Sequence, residues 1–178
     1  MLIVIIIIIA LITGVYIFLQ HPSFGKKPSG KRLETIKNSS NYKEGSFKNL
    51  SHTPYLTEGV GYFTVLKDFF FAKSKRSKPA TILPSQKVNL LALQPDENIL
   101  VWFGHSSYFM QVDGKTILVD PVLSGSASPI KFITTSFKGS DVYTTDDFPA
   151  IDYLFISHDH WDHLDYTTML KLKPNIYP

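Results

Sequence analysis

Ile156 to Asp165 reads ISHDHWDHLD and places three of the chain's six histidines within six consecutive positions, interleaved with aspartates. In an extended segment, side chains two apart point the same way, so His158 and His160 can grip one ion together. Asp162 and His163 follow where the chain bends toward a helix; they point elsewhere and can serve a second ion. Imidazole nitrogen and carboxylate oxygen suit zinc, and also iron or manganese. The chain has no cysteine, which argues against a purely structural zinc site. Two such ions about 3.5–4 Å apart acidify a bridging water and clamp the attacking and leaving oxygens of an ester or phosphodiester. The competing reading is a surface loop that happens to be rich in histidine. Asp159 and Trp161, lying between the donors, are expected only to solvate or pack.

The elements around this loop are those needed to hold it. Asp152–Ile156 is an apolar run, predicted to be a buried strand that leads straight into the histidines. Asp165 is of the right type to cap a following helix carrying Met169, Leu170 and Leu172, ended by Lys173-Pro174. Upstream, Ile99–Phe103 is continuously apolar, as in a strand covered on both faces, and Gly104-His105-Ser106-Ser107 breaks it. Tyr108–Val112 and Lys115–Val119 flank Asp113-Gly114, a two-residue hairpin signal. Pro121 to Ala150, with its Ser, Thr and Pro, is predicted to be irregular.

Further upstream the character differs. Leu2–Leu19 is uncharged and apolar, long enough to span a bilayer. Nothing basic precedes it except the amino terminus, and no A-x-A-like cleavage site follows, so an anchor is favoured over a cleaved signal peptide. Lys26, Lys27, Lys31, Arg32 and Lys37 come directly after it, which leans toward a domain on the cytoplasmic side. Residues 20–60 read as an extended, solvated connector. Tyr62, Val65, Leu66 and Phe69 recur at helical spacing, and Lys73 to Pro79 would cap and then break that helix. Such a helix packs on a domain or lies on anionic lipid headgroups. Residues 1–94 carry a net +9 and residues 95–178 a net −6, so the two halves are not expected to share one task. No nucleic-acid motif accompanies the lysines, and no nucleic-acid partner is expected.

HxHxDH after a strand, together with VWFGHSS from Val101, QVDGK from Gln111 and LVDPV from Leu118, resembles the metallo-β-lactamase fold. Within it, the chain looks like the branch of N-acylphosphatidylethanolamine-hydrolysing phospholipase D and ascorbate-6-phosphate lactonase, and the likeness runs from about Ile99 to Pro178. It implies an α/β fold, the N-terminal half of a four-layer αββα sandwich, here preceded by one transmembrane helix. It divides the chain into an anchor (1–20), a basic connector and N-terminal extension (21–94) and a partial metallo-β-lactamase-like domain (95–178). By position, His158 and His160 would bind one ion and Asp162 and His163 another, both divalent, with zinc the first choice. Asp162 and His105 would take catalytic parts, His105 meeting substrate or holding a structural hydrogen bond. Asp120 would orient a histidine, or simply form a turn before proline. In the family, a third histidine, a shared aspartate and a further late histidine complete the site. After His163 this chain offers only Asp165 among His, Asp and Glu, so the expectation is a truncated chain with an incomplete site. The function implied is a membrane-anchored metal-dependent hydrolase, of phosphodiesters or of phospholipids in the manner of a phospholipase D. The alternative is a non-enzymatic, membrane-bound metal-binding fragment or inactive remnant. The partners implied are the bilayer and a phospholipid or phosphodiester substrate.

Overall fold

A computed structural model describes residues 1–72 and 77–176. The chain forms two compact units, Met1–Ser77 and Lys78–Pro178.

In the first unit, α1 (Leu2–Leu19) is the predicted apolar helix, with none of its residues buried. Its 18 residues reach about 27 Å at 1.5 Å each, close to the thickness of a hydrocarbon core. By length and composition it can cross a membrane, and a signal sequence would have the same properties. Residues 20–60 are more ordered than their composition foretold. They hold a short helix, α2 (Gly30–Lys37), and a hairpin of β1 (Tyr42–Lys43) and β2 (Ser46–Phe47). Glu44 and Gly45 make its turn, both left-handed at φ 54° and 80°, which is the type I′ requirement. Glu-Gly is a weak turn signal, and two-residue strands show no alternation, so the hairpin left little trace in the sequence. The rings of Tyr42 and Phe47 meet edge to face at 5.2 Å across it. The predicted helix is α3 (Tyr62–Phe71), and none of its residues is buried. Its expected basic cap falls on Lys73–Arg76, outside the described residues.

The second unit is built on a four-stranded mixed sheet in the order β3-β4-β5-β6: β3 (Ile99–Gly104), β4 (Ser107–Val112), β5 (Lys115–Val119) and β6 (Tyr153–Phe155). Asp113-Gly114 makes the β4–β5 turn with φ 49° and 72°, the predicted type I′ hairpin. β5 and β6 are parallel, joined by the long irregular stretch foreseen between Pro121 and Ala150. Val101, Phe103, Phe109 and Leu118 point into one core with Leu90, Tyr143, Phe148, Ile151 and Leu172. Phe103 packs against Tyr143 at 4.8 Å and edge-on to Phe148 at 5.4 Å. The last helix, α4 (Tyr166–Leu172), contributes Leu172 to this core.

Two strand expectations need correction. β3 and β6 are not covered on both faces: Leu100 and Trp102 of β3 and Tyr153 and Phe155 of β6 are exposed. Their side chains share the second sheet face with Tyr108, Met110, Ile117 and Val119, as the register dictates. Only the first face is packed by the long connection and α4. A continuous apolar run reports the demand for two covers, and among the described residues one is supplied.

Asp152, just before β6, fixes the parallel register. Its carboxylate accepts from the Thr116 N–H (2.9 Å), the Thr116 hydroxyl (2.9 Å) and Lys115 Nζ (3.1 Å). The Thr116 amide, then Lys115 and the Thr116 hydroxyl, hold the carboxyl below the ordinary carboxylate range. A lowered folded-state pKa means that the unfolded chain binds more protons, so stability rises with pH in this range. The contribution is complete above the unfolded value of about 3.9 and fades as pH falls through the lower folded value. Asp152→Asn is therefore expected to flatten the dependence of the melting temperature on pH across the acid range, which thermal scans at a series of pH values would show.

Candidate metal centre

Beyond Phe155 the chain leaves the sheet, and its next residues are arranged by Asp120. The Asp120 N–H donates to the Phe155 carbonyl at 2.9 Å, continuing the β5–β6 pairing by one step. Asp120 adopts φ 43° and is 2% exposed. Its carboxylate accepts from the Ser157 N–H (2.7 Å) and hydroxyl (2.7 Å) and lies 2.8 Å from His163 Nδ1. Burial pushes this carboxyl up, but the bonds from His163 and Ser157 outweigh it and hold it below its usual value. It is therefore an anion and an acceptor.

Protonation of the neighbouring rings follows from that charge. An ionised carboxylate only accepts, so the contact calls for a proton on His163 Nδ1 and leaves Nε2 as the nitrogen of the neutral ring that can hold an ion. The Ser157 hydroxyl gives its hydrogen to Asp120, so its oxygen can accept from His158 Nδ1, 3.0 Å away. That leaves His158 Nε2 free as well. A hydrogen bond to one ring nitrogen that fixes the other as donor atom is the usual support of a metal-binding histidine.

After Ser157 the loop turns on itself: the His163 and Leu164 N–H groups donate to the His160 carbonyl at 3.0 and 2.7 Å. The turn stacks the rings, with His158 4.6 Å from His160 and 3.8 Å from His163 between centroids. Asp165 closes it as the N-cap of α4, accepting from the Thr167 and Thr168 N–H groups, as its type predicted.

Among the described residues, two groups of three donors result. His158, His160 and Asp162 bring one ligand atom each within 4.8 Å of one another, and so do His105, Asp162 and His163. The sequence paired His158 with His160 and Asp162 with His163; the structure brings Asp162 into both groups. His105 comes from the β3–β4 corner, its Nε2 3.1 Å from Asp162 Oδ2 and 3.3 Å from His163 Nε2. Asp159 is exposed, and Trp161 is 38% exposed. Sequence reasoning gave no role to Ser157 or Ser106. The Ser106 hydroxyl lies 2.9 Å from His163 Nδ1, and the GHSS element was the one clue to it. These donors are all nitrogen and oxygen, partly exposed and backed by a buried anion, so they fit a borderline divalent ion such as zinc.

Beside the donors opens a groove of about 740 Å³, more apolar than polar, whose lining includes Leu83, Phe103, Val122, Phe137, His105 and Asp162. That volume is typical of a small-molecule site.

Residues 99–176, the sheet and α4, match the family model described as Beta-lactamase superfamily domain. The α/β class and the β-lactamase fold expected from the sequence thus hold for this part of the chain. Over 134 residues the chain is 31% identical to the uncharacterized protein Rv0906 of Mycobacterium tuberculosis, which covers 75% of this chain and 36% of that protein. It is 35% identical over 86 residues to a 4-amino-L-phenylalanyl-[CmlP-peptidyl-carrier-protein] 3-hydroxylase of Streptomyces venezuelae, covering 48% of this chain and 15% of the other. It is 33% identical over 100 residues to N-acyl-phosphatidylethanolamine-hydrolyzing phospholipase D 1 of Caenorhabditis elegans, covering 47% and 27%. The chain thus spans about a third of the length of its mycobacterial relative.

Proposed function

We propose that the protein is a metal-dependent hydrolase, held at a membrane by α1, that cleaves phosphodiesters of the phospholipid kind. The observation that carries this reading is the pair of His/Asp donor groups joined at Asp162 on the edge of an apolar groove. His158, His160, Asp162 and His163 would hold the metal, zinc in the first instance, with His105 beside them. Once bound, it supplies a water acidified to near neutral pH and a Lewis acid for the phosphoryl oxygen. The chain's own residues prepare for this. Asp120 keeps a proton on His163 Nδ1, Ser157 does the same for His158, and the apolar groove would admit an acyl chain. The similarity to a phospholipase that hydrolyses N-acyl-phosphatidylethanolamine supports the substrate class. The basic run after α1, with Lys26, Lys27, Lys31, Arg32 and Lys37, supports a cytoplasmic domain.

The test uses the full chain in detergent micelles, stripped with a chelator and supplied with vesicles of N-acyl-phosphatidylethanolamine or with a chromogenic phosphodiester. Hydrolysis is expected to vanish on stripping and to return with added zinc. Turnover that survives complete removal of metal would overturn the reading. Stoichiometric metal with no turnover of either substrate would replace it with a metal-holding protein.

A further inference from the structure

His105 lies far from the HxHxDH run in sequence, and its backbone is unusual. At φ 48° it occupies the left-handed region that residues other than glycine seldom adopt. The strain is held in place: the Trp102 indole N–H donates to the His105 carbonyl at 2.9 Å. Costly backbone conformations that neighbours enforce gather at functional sites, and here the result is an imidazole aimed at Asp162 and His163.

Three atoms that can each ligate a metal ion face one another here. The 2.8 Å contact with Asp120 occupies His163 Nδ1, so Nε2 is the nitrogen turned to this space. Asp162 Oδ2 is an acceptor too, 3.8 Å away. An N–H of His105 or a cation can lie between these two acceptors, and the geometry of the triangle suits the cation. His105 Nε2 completes the triangle at 3.1 and 3.3 Å. A tetrahedral ion with bonds of about 2.0–2.1 Å has ligand-to-ligand edges of about 3.3–3.4 Å, and the three observed separations bracket that value.

We infer that His105 is a metal ligand, completing with Asp162 and His163 a three-residue site for one divalent ion, the ion that borders the groove. The inference rests on the metal-dependent reading above and deepens it. His105 and Asp162 both line the groove, whereas His158 and His160 do not. The His105 ion is therefore the one that a bound substrate meets, and the His158–His160 ion stands behind it.

Metal binding, not turnover, is the test. The full chain in micelles is titrated with zinc against a chromophoric chelator and with cobalt by absorption. His105→Asn is the first variant, because asparagine tolerates the left-handed backbone, and its melting in chelator should equal that of the wild type. It is expected to keep one ion and to bind the other at least 10- to 100-fold more weakly, since even loss of a ligand's supporting partner costs that much. His105→Cys is expected to restore the second cobalt ion with a thiolate-to-cobalt charge-transfer band in the near ultraviolet, which a merely structural histidine would not yield. Zinc and cobalt binding by His105→Asn indistinguishable from wild type, or cobalt bound by His105→Cys with no such band, overturns the inference alone. A wild-type chain that binds neither metal overturns the hydrolase reading with it.

Discussion

Substituting both His158→Ala and His160→Ala is expected to remove the ion that these side chains would share, lowering zinc affinity at that position by roughly a thousandfold or more. The size follows from the ligand count: a supporting residue alone costs about 10–100-fold, and here two of three donors are deleted, leaving only Asp162. Both histidines are exposed and bury little surface, so the metal-free fold is expected to change by no more than about 0.5 kcal/mol. Separate measurements make this distinguishable from misfolding. Competition titration with a zinc chelator reads affinity, and thermal unfolding in excess chelator reads the fold. Wild-type zinc affinity in the double variant would remove these residues from the centre.

Asp120→Ala has the second large effect, and it acts on both properties at once. The carboxylate is buried and receives three hydrogen bonds, two from Ser157 and one from His163. Hydrogen bonds to an ionised group contribute about 1.5–3 kcal/mol, and donors left unpaired in a buried place add to the loss. Alanine also tolerates φ 43° poorly, at about 1–2 kcal/mol. A loss on the order of 3 kcal/mol in metal-free stability is expected. Zinc affinity should fall about 10- to 100-fold as His163 loses its orientation and tautomer. Asp120→Asn separates the two. It accepts the left-handed backbone and can still receive the Ser157 N–H, so most stability returns. Without the charge that fixes the His163 proton, the deficit in zinc affinity persists. Denaturant unfolding and zinc titration on both variants would establish this, and equal affinity in wild type and Asp120→Ala would refute it.

What the sequence made legible was local. The donor spacing of HxHxDH, the Asp113-Gly114 turn, the Asp165 cap and the period of α3 are all decided by neighbours within a few residues. The resemblance put His105 near the site, but which groups it and Ser106 meet lies in pairs joined only by the fold. His105 meets His163 across 58 positions and Ser106 meets the same ring across 57. No spacing rule reaches that far. Ser157 was overlooked for a different reason: serine beside histidine is common, and only the position of Asp120 turns its hydroxyl into a relay between two rings. The open second face of the sheet escaped notice because apolar residues record what a strand would bury rather than what covers it.

The carboxylate that starts α4 has a further consequence. Besides the helix N–H groups, Asp165 accepts from the Ser124 N–H at 2.9 Å and the Thr168 hydroxyl, and Thr168 in turn accepts from the Leu123 N–H at 2.9 Å. Leu123 belongs to the groove wall, while Asp165 sits two residues beyond His163. The wall and the donor loop are thus pinned to one buried anchor. Loss of the Asp165 carboxylate would therefore leave the Ser124 N–H, the first N–H groups of α4 and the Thr168 hydroxyl without their acceptor together, loosening wall and donor loop at once.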